Sequence, residues 1–224
     1  MRRRAPATAI VVLAAAVMAC SPGATPPSTQ SPSPAASPLA FPRTTGEVVT
    51  GRYASDPPFD VPFTFDVPAA GWESMHLHSE FFDIGRFATE ERQTAPIRWI
   101  AFGHPGHIRS DEDVPAAGLT PEEAAALLSS RDDVTAGEAV PFSLAGRDGV
   151  RLDLRAAEAN TPIFGGPDGD FNLDPSIDIR LGIVPLDAGL LLVFVGAPPG
   201  ELDAAWDEAT PILDSVELQV EPPA

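Results

Sequence analysis

Lysine is absent from the 224 residues, and all 14 basic residues are arginine. We read this as the codon bias of a GC-rich genome, without functional meaning. Set against 32 acids, the arginines leave a formal net charge of −18. No basic stripe is available to neutralise phosphates, which argues against nucleic acid as a partner. The acidic surplus also repels anionic headgroups and holds the body off a bilayer surface. Cysteine occurs once, at Cys20, so no intrachain disulfide forms and the core must supply stability alone. No apolar run reaches the roughly 20 residues that a membrane-crossing helix needs. Catalytic signatures are missing too: there is no Gly-x-Ser-x-Gly elbow, no Cys/His pair and no glycine-rich phosphate loop.

What is present begins at the N-terminus. Arg2, Arg3 and Arg4 precede an apolar run from Ala9 that ends in Val17-Met18-Ala19-Cys20. A basic start, a short apolar core and a small residue at the cut follow the order of a secretory signal peptide. The stretch resembles the lipobox of bacterial lipoproteins, with an aliphatic residue three places before the cysteine. That resemblance implies cleavage after Ala19 and acylation of Cys20 by palmitate-type chains. It also implies an extracytoplasmic protein whose partner is the cell membrane, reached through its lipid. One acyl chain binds only marginally and two hold firmly. Removing residues 1–19 would leave 205 residues and, with three arginines gone, a net charge near −21.

Residues 20–45 read as the lipidated cysteine and a disordered tether. Ser21 to Pro42 is built from Ser, Pro, Ala and Thr, with no large apolar residue before Leu39, so it cannot bury enough surface to fold. Residues 46–220 read as one domain. Phe63, Phe65 and Val67 alternate with polar neighbours as a half-buried strand. Further strands are expected over Val48–Tyr53, Met75–His78, Phe81–Phe87, Ile97–Phe102 and Val134–Phe142. Thr120-Pro121-Glu122-Glu123 predicts a capped helix start. Arg147-Asp148-Gly149 reads as a hairpin turn leading into Val150, Leu152 and Leu154, which alternate cleanly. Ile177, Ile179, Leu181 and Ile183 repeat that period. Leu190 to Val195 has no polar break, which predicts a central strand covered on both faces. Leu202, Ala205, Trp206, Ala209, Ile212 and Leu213 fall at helical spacing, with Pro211 expected to bend or end the last turn. Val216, Leu218 and Val220 would close the body as an edge strand.

The expected class is therefore α+β: about eight strands in a largely antiparallel sheet, with two helices packed on it. The order of Pro68 to Trp72, Thr120 to Ser130 and Leu202 to Val220 resembles the PsbP-like α/β sandwich. There a Gly-Trp lies between the opening strands and a C-terminal helix leads into a last strand. The stretch Asp187 to Val216 is similar to the ending of envelope lipoproteins of high-GC bacteria. Such a fold hosts unrelated functions and implies no activity.

Candidate sites come from two clusters. His76, His78, His104 and His107 could converge from neighbouring strands on zinc or copper, although no spacing matches a zinc pattern and four scattered surface histidines are the simpler reading. Asp168, Asp170, Asn172 and Asp174 place side-chain oxygens on every second residue, as in the first half of a calcium loop. Leu173 and Ile179 stand where that loop needs glycine and glutamate, and an acidic linker is the simpler account. No other cofactor is indicated. Ser79 beside His78 is expected by chance, and the adjacent pairs Glu90-Glu91 and Asp132-Asp133 read as solvated loops. Trp72, Trp99 and Trp206 read as core. The residues thus point to a membrane-anchored, non-catalytic binding or scaffold module. The alternatives are an envelope hydrolase, which would show a deep cleft with converging polar groups, and a carrier of a small molecule or ion such as calcium.

Overall fold

The computed structural model describes residues 37–55, 57, 59–87, 98–110, 112–167 and 169–219. The expected leader, Ala19, Cys20, the first part of the tether, Glu90-Glu91, Asp168 and Val220 lie outside them. In chain order the strands are β1 (Leu39–Ala40), β2 (Gly46–Val48), β3 (Gly51–Ala54), β4 (Phe63–Val67), β5 (Trp72–Leu77), β6 (Phe81–Arg86), β7 (Arg98–Gly103), β8 (His107–Arg109) and β9 (Asp113–Pro115). Helix α1 (Pro121–Ser129) precedes β10 (Val134–Ala136), β11 (Val140–Leu144), β12 (Arg147–Ala156), β13 (Thr161–Gly166), β14 (Gly169–Leu173), β15 (Asp178–Leu186) and β16 (Gly189–Ala197). Helix α2 (Leu202–Leu213) and β17 (Glu217–Leu218) close the order.

A nine-stranded sheet forms the middle layer, in the order β10-β12-β15-β16-β7-β6-β5-β2, with β11 also paired to β12. Every pairing within it is antiparallel. The α+β class with a largely antiparallel sheet and two helices is thus the observed one. The strand count is larger than expected, because two further sheets, β1-β3-β4-β17 and β14-β13-β8-β9, lie on opposite faces of the first.

Strand β16 shows why both faces are covered. Its residues alternate between two cores: Leu191, Val193 and Val195 in one, and Leu190, Leu192 and Phe194 in the other. The first core packs against Phe63 and Phe65 of β4 and against α2 through Ala205, Ala209, Ile212 and Leu213. The second packs against α1 through Ala124, Ala125 and Leu128, and against Ile108, Ile163 and Phe164 of the third sheet.

Local signals behave as their chemistry requires. The Thr120 hydroxyl accepts from the Glu123 N–H at 3.2 Å, and the Glu123 carboxylate accepts from the Thr120 N–H at 2.8 Å. This capping box closes the open donors of the first turn of α1, and the Thr120 backbone donor holds the Glu123 carboxyl below its ordinary pKa. Arg86 and Arg98 both reach Glu208, at 2.8 and 2.9 Å, tying β6 and β7 to α2.

Several expectations need correction. The ordered body begins before residue 46: Leu39–Ala40 pairs in parallel with β3, and Phe41 is buried against Phe82, with ring centroids 5.0 Å apart. The expected tether boundary missed this single aromatic anchor at the end of a polar run. The hairpin turn lies at Ala145-Gly146, not at Arg147-Asp148-Gly149. Both turn residues have positive φ, 51° and 75°, the twist that matches a two-residue hairpin. The expected strand Val134–Phe142 is broken into β10 and β11, both paired to β12. Pro211 sits inside α2, which continues to Leu213.

Trp206 is only half-buried. It stands at the rim of the α2 stripe, edge-on to Phe142 at 5.8 Å, with the Arg151 and Arg180 guanidinium groups over its ring at 5.2 and 5.5 Å. The buried centre of the stripe is Ile212, at 0% exposure. Ile212→Ala should therefore cost about 2–5 kcal/mol. Asp207→Ala, on the exposed face of α2, should stay within about 0.5 kcal/mol. Urea denaturation of the two variants measures the difference, and equal losses would show that the stripe is misplaced.

Candidate functional site

The second face of the large sheet is unevenly covered. Helix α1 packs against β8, β10, β12 and β15, at one end of the sheet. Towards the other end, β5, β6 and β7 face the β13–β14 hairpin across a cleft of about 620 Å³. Its floor is aromatic. Phe164 and Phe171 stack at 4.9 Å with an interplanar angle of 11°. Phe171 also lies 4.7 Å from Phe194, 5.1 Å from Phe81 and 5.7 Å from Trp99. Two glycines make room for these rings. A Cβ at Gly196 would stand 2.3 Å from the Trp99 indole, and one at Gly103 would press on both Phe164 and Phe194 at 3.2 and 3.3 Å. Met75, Phe81, Phe87, Phe171 and Ile177 line the cleft half-buried. They form a contiguous apolar lining of the kind that marks a binding surface.

Polar groups gather at one end of the cleft. The β5–β6 ladder slips between Ser74 and His76, and such a bulge leaves a backbone donor unpaired and re-aims side chains. Here the donor is the His76 N–H, which reaches the Asp83 carboxylate at 2.8 Å. The His76 Nδ1 lies 3.2 Å from both Asp83 oxygens. Asp83 is buried at 4% exposure while the His76 ring is open to water. The hydrogen bond to Asp83 raises the His76 pKa against the opposing effect of burial. His78 lies alongside, its ring 6.2 Å from that of His76, because alternate strand residues share a face. Glu80 is also buried and lines the cleft.

The four histidines occupy three places. His76 and His78 flank the aromatic cleft. His104 rests its Nε2 3.3 Å from the Ala188 carbonyl. The His107 Nε2 lies 4.0 Å from both Asp113 and Asp170. Among the described residues no group of three or more histidine, cysteine or acidic side chains is placed to hold a metal ion.

The expected calcium loop is a strand over most of its length, with Asp168 outside the described residues. Asp170 and Asn172 lie on β14, where side chains project in line and do not curl around a point. Asp170 accepts from Arg109 at 2.5 Å, and Asn172 donates to the Asp170 carbonyl at 3.2 Å. Asp174 accepts from the Ser176 hydroxyl and N–H, which together lower its pKa. Asp132-Asp133 also has a local explanation: Arg131, half-buried, pairs with Asp133 through two nitrogens and holds its pKa down.

Sequence reasoning missed the cleft's main contributors, Phe81, Asp83, Phe164 and Phe171. The one available signal was Phe171 interleaved between Asp170 and Asn172, a two-residue period inside a stretch read as a linker.

No protein-family model matches the chain, and no curated protein matches it. Among solved structures it is similar to the cyanobacterial PsbP (CyanoP) of Synechocystis sp. PCC 6803, at 13% identity over 80% of this chain and 95% of that one, with a TM-score of 0.42. A protein of Bacteroides thetaiotaomicron VPI-5482 matches at 12% identity over 71% of this chain, with a TM-score of 0.39, and this chain spans 46% of its length. LpqN of Mycobacterium tuberculosis, described as involved in cell envelope biogenesis, matches at 9% identity over 79% of this chain and 91% of that one, with a TM-score of 0.28.

The Asp83 contact makes a pH prediction. A histidine whose pKa is raised on folding stabilises the fold below the unfolded value, about 6.5. That contribution is lost as pH rises through the folded value. Proton NMR titration should find His76 above about 6.5, and Asp83→Asn should lower it. A His76 titration unmoved by Asp83→Asn would discard the pairing.

Proposed function

We propose that the protein is an extracytoplasmic lipoprotein, held to the cell membrane through acylated Cys20, whose body is a non-catalytic module that binds its ligand in the aromatic cleft. The cleft carries the binding half of this reading: half-exposed rings around a space of about 620 Å³ leave apolar area in water that a ligand would cover. The lipobox at Val17 to Cys20 supports the anchoring half. No described helix is long and apolar enough to cross a membrane. A binding role is favoured over hydrolysis because two of the cleft's three carboxylates are engaged in structural contacts. Asp83 caps the bulge at His76, and Asp170 pairs with Arg109.

Two measurements test the halves separately. Cys20→Ala should move the protein from the membrane fraction to the soluble fraction, or leave it as an uncleaved precursor. An unmodified, soluble wild-type product would end the anchoring claim. For the cleft, the neutral dye Nile red should bind the full chain saturably. Phe171→Ala should weaken that binding about tenfold, a loss of about 1.4 kcal/mol, without loss of the cooperative thermal transition. Unchanged dye affinity in that variant would remove the cleft as the ligand site.

A further inference from the structure

The charge around the aromatic floor selects among ligands. The described lining residues include three carboxylates (Glu80, Asp83 and Asp170), two imidazoles and no arginine, and the chain has no lysine. An anionic ligand would find no arginine on the walls of this cleft, since the neighbouring Arg109 is paired with Asp113 and Asp170, and would enter against the field of a protein with net charge −18. A cation meets the reverse conditions. The rings of Phe81 and Phe171, half-buried at the cleft, offer the negative lobe of their quadrupoles. Asp170 uses only Oδ1 for Arg109, and the overall acidic field raises the local concentration of cations.

We infer that the ligand is a small organic cation, an amine or quaternary ammonium carried on an apolar or aromatic body. Its body covers Phe81, and its charged nitrogen lies at Phe171, towards the Asp170 end. Steric provision for the rings supports a built site: the Trp99 indole occupies the space above Gly196 that any other residue would fill. Asp83 is committed to His76 and contributes through its charge. The inference rests on the cleft being the ligand site, as proposed above.

The test uses the full chain and three probes of similar size at fixed ionic strength: benzyltrimethylammonium, benzyl alcohol and benzenesulfonate. Calorimetric titration is run at a single fixed pH for all three. Cation–aromatic attraction of about 0.5–2 kcal/mol predicts that the ammonium binds roughly 2- to 30-fold more tightly than the alcohol, with benzenesulfonate the weakest. Asp170→Asn, an exposed position, should narrow the ammonium-to-alcohol ratio and leave alcohol binding unchanged. Phe171→Ala should weaken both. If the alcohol and the ammonium bind equally, and Asp170→Asn changes neither, the charge preference is wrong and the cleft reading survives. Tightest binding of benzenesulfonate overturns the inference in the same way. If no probe binds and Nile red also fails to bind, the cleft reading falls with it.

Discussion

Strand β16 places the main constraint on this molecule. From Leu190 to Ala197 every residue is buried, on both faces of the sheet. A strand with no side-chain polar group and no exposed face must have its backbone donors and acceptors paired on both edges. β15 and β7 supply that pairing. It must also have apolar cover above and below. The helices and the two smaller sheets are that cover, and their arrangement follows from what each face needs. With no disulfide available, burial on this scale is the principal stabilising term.

The same constraint accounts for the cleft. The face towards α2 is closed by a dense aromatic cluster in which Phe82 lies within 6 Å of Phe41, Phe59, Phe63, Phe65 and Phe102. The opposite face is closed by α1 over β12 and β15, and by the β13–β14 hairpin over β7. Beyond that hairpin the sheet continues into β6 and β5 with aromatic side chains still on it. The cleft therefore lies where a broad sheet extends past the cover of a short helix. The glycines at Gly103 and Gly196 then let its rings lie flat.

Arginine does most of the polar work in this acidic chain. Arg86 and Arg98 fasten the sheet to α2, and Arg180 bridges Asp153 and Asp203. Arg131 pairs with Asp133 and also donates to the Arg109 and Pro162 carbonyls. The fork geometry of the guanidinium allows one side chain to join several acceptors. Together with the pairs of Arg52, Arg109, Arg147 and Arg155, these commit most of the described arginines to the framework, and the cleft walls are left with carboxylates and imidazoles.

The sequence by itself determined the elements whose cause is local. The capping box at Thr120, the unbroken apolar run at Leu190, the alternation at Val150 to Leu154 and the α2 stripe each follow from neighbouring residues, and each appears in the fold. The lipobox resemblance at Val17 to Cys20 is likewise read from a linear string, and it lies outside the described residues. Tertiary structure decided what depends on partners distant in the chain. Phe41 belongs to the body because Phe82 and Phe65 receive it. Trp206 sits at the rim because Phe142 and two arginines meet it there. The stretch after Asp168 is a strand because β13 offers it a ladder, whereas its own composition of Asp, Asn and Gly favours a turn. The cleft has no local signature at all. Phe81, Trp99, Phe164 and Phe171 come from four separate strands, and only the stacking of one sheet on another brings their rings within contact.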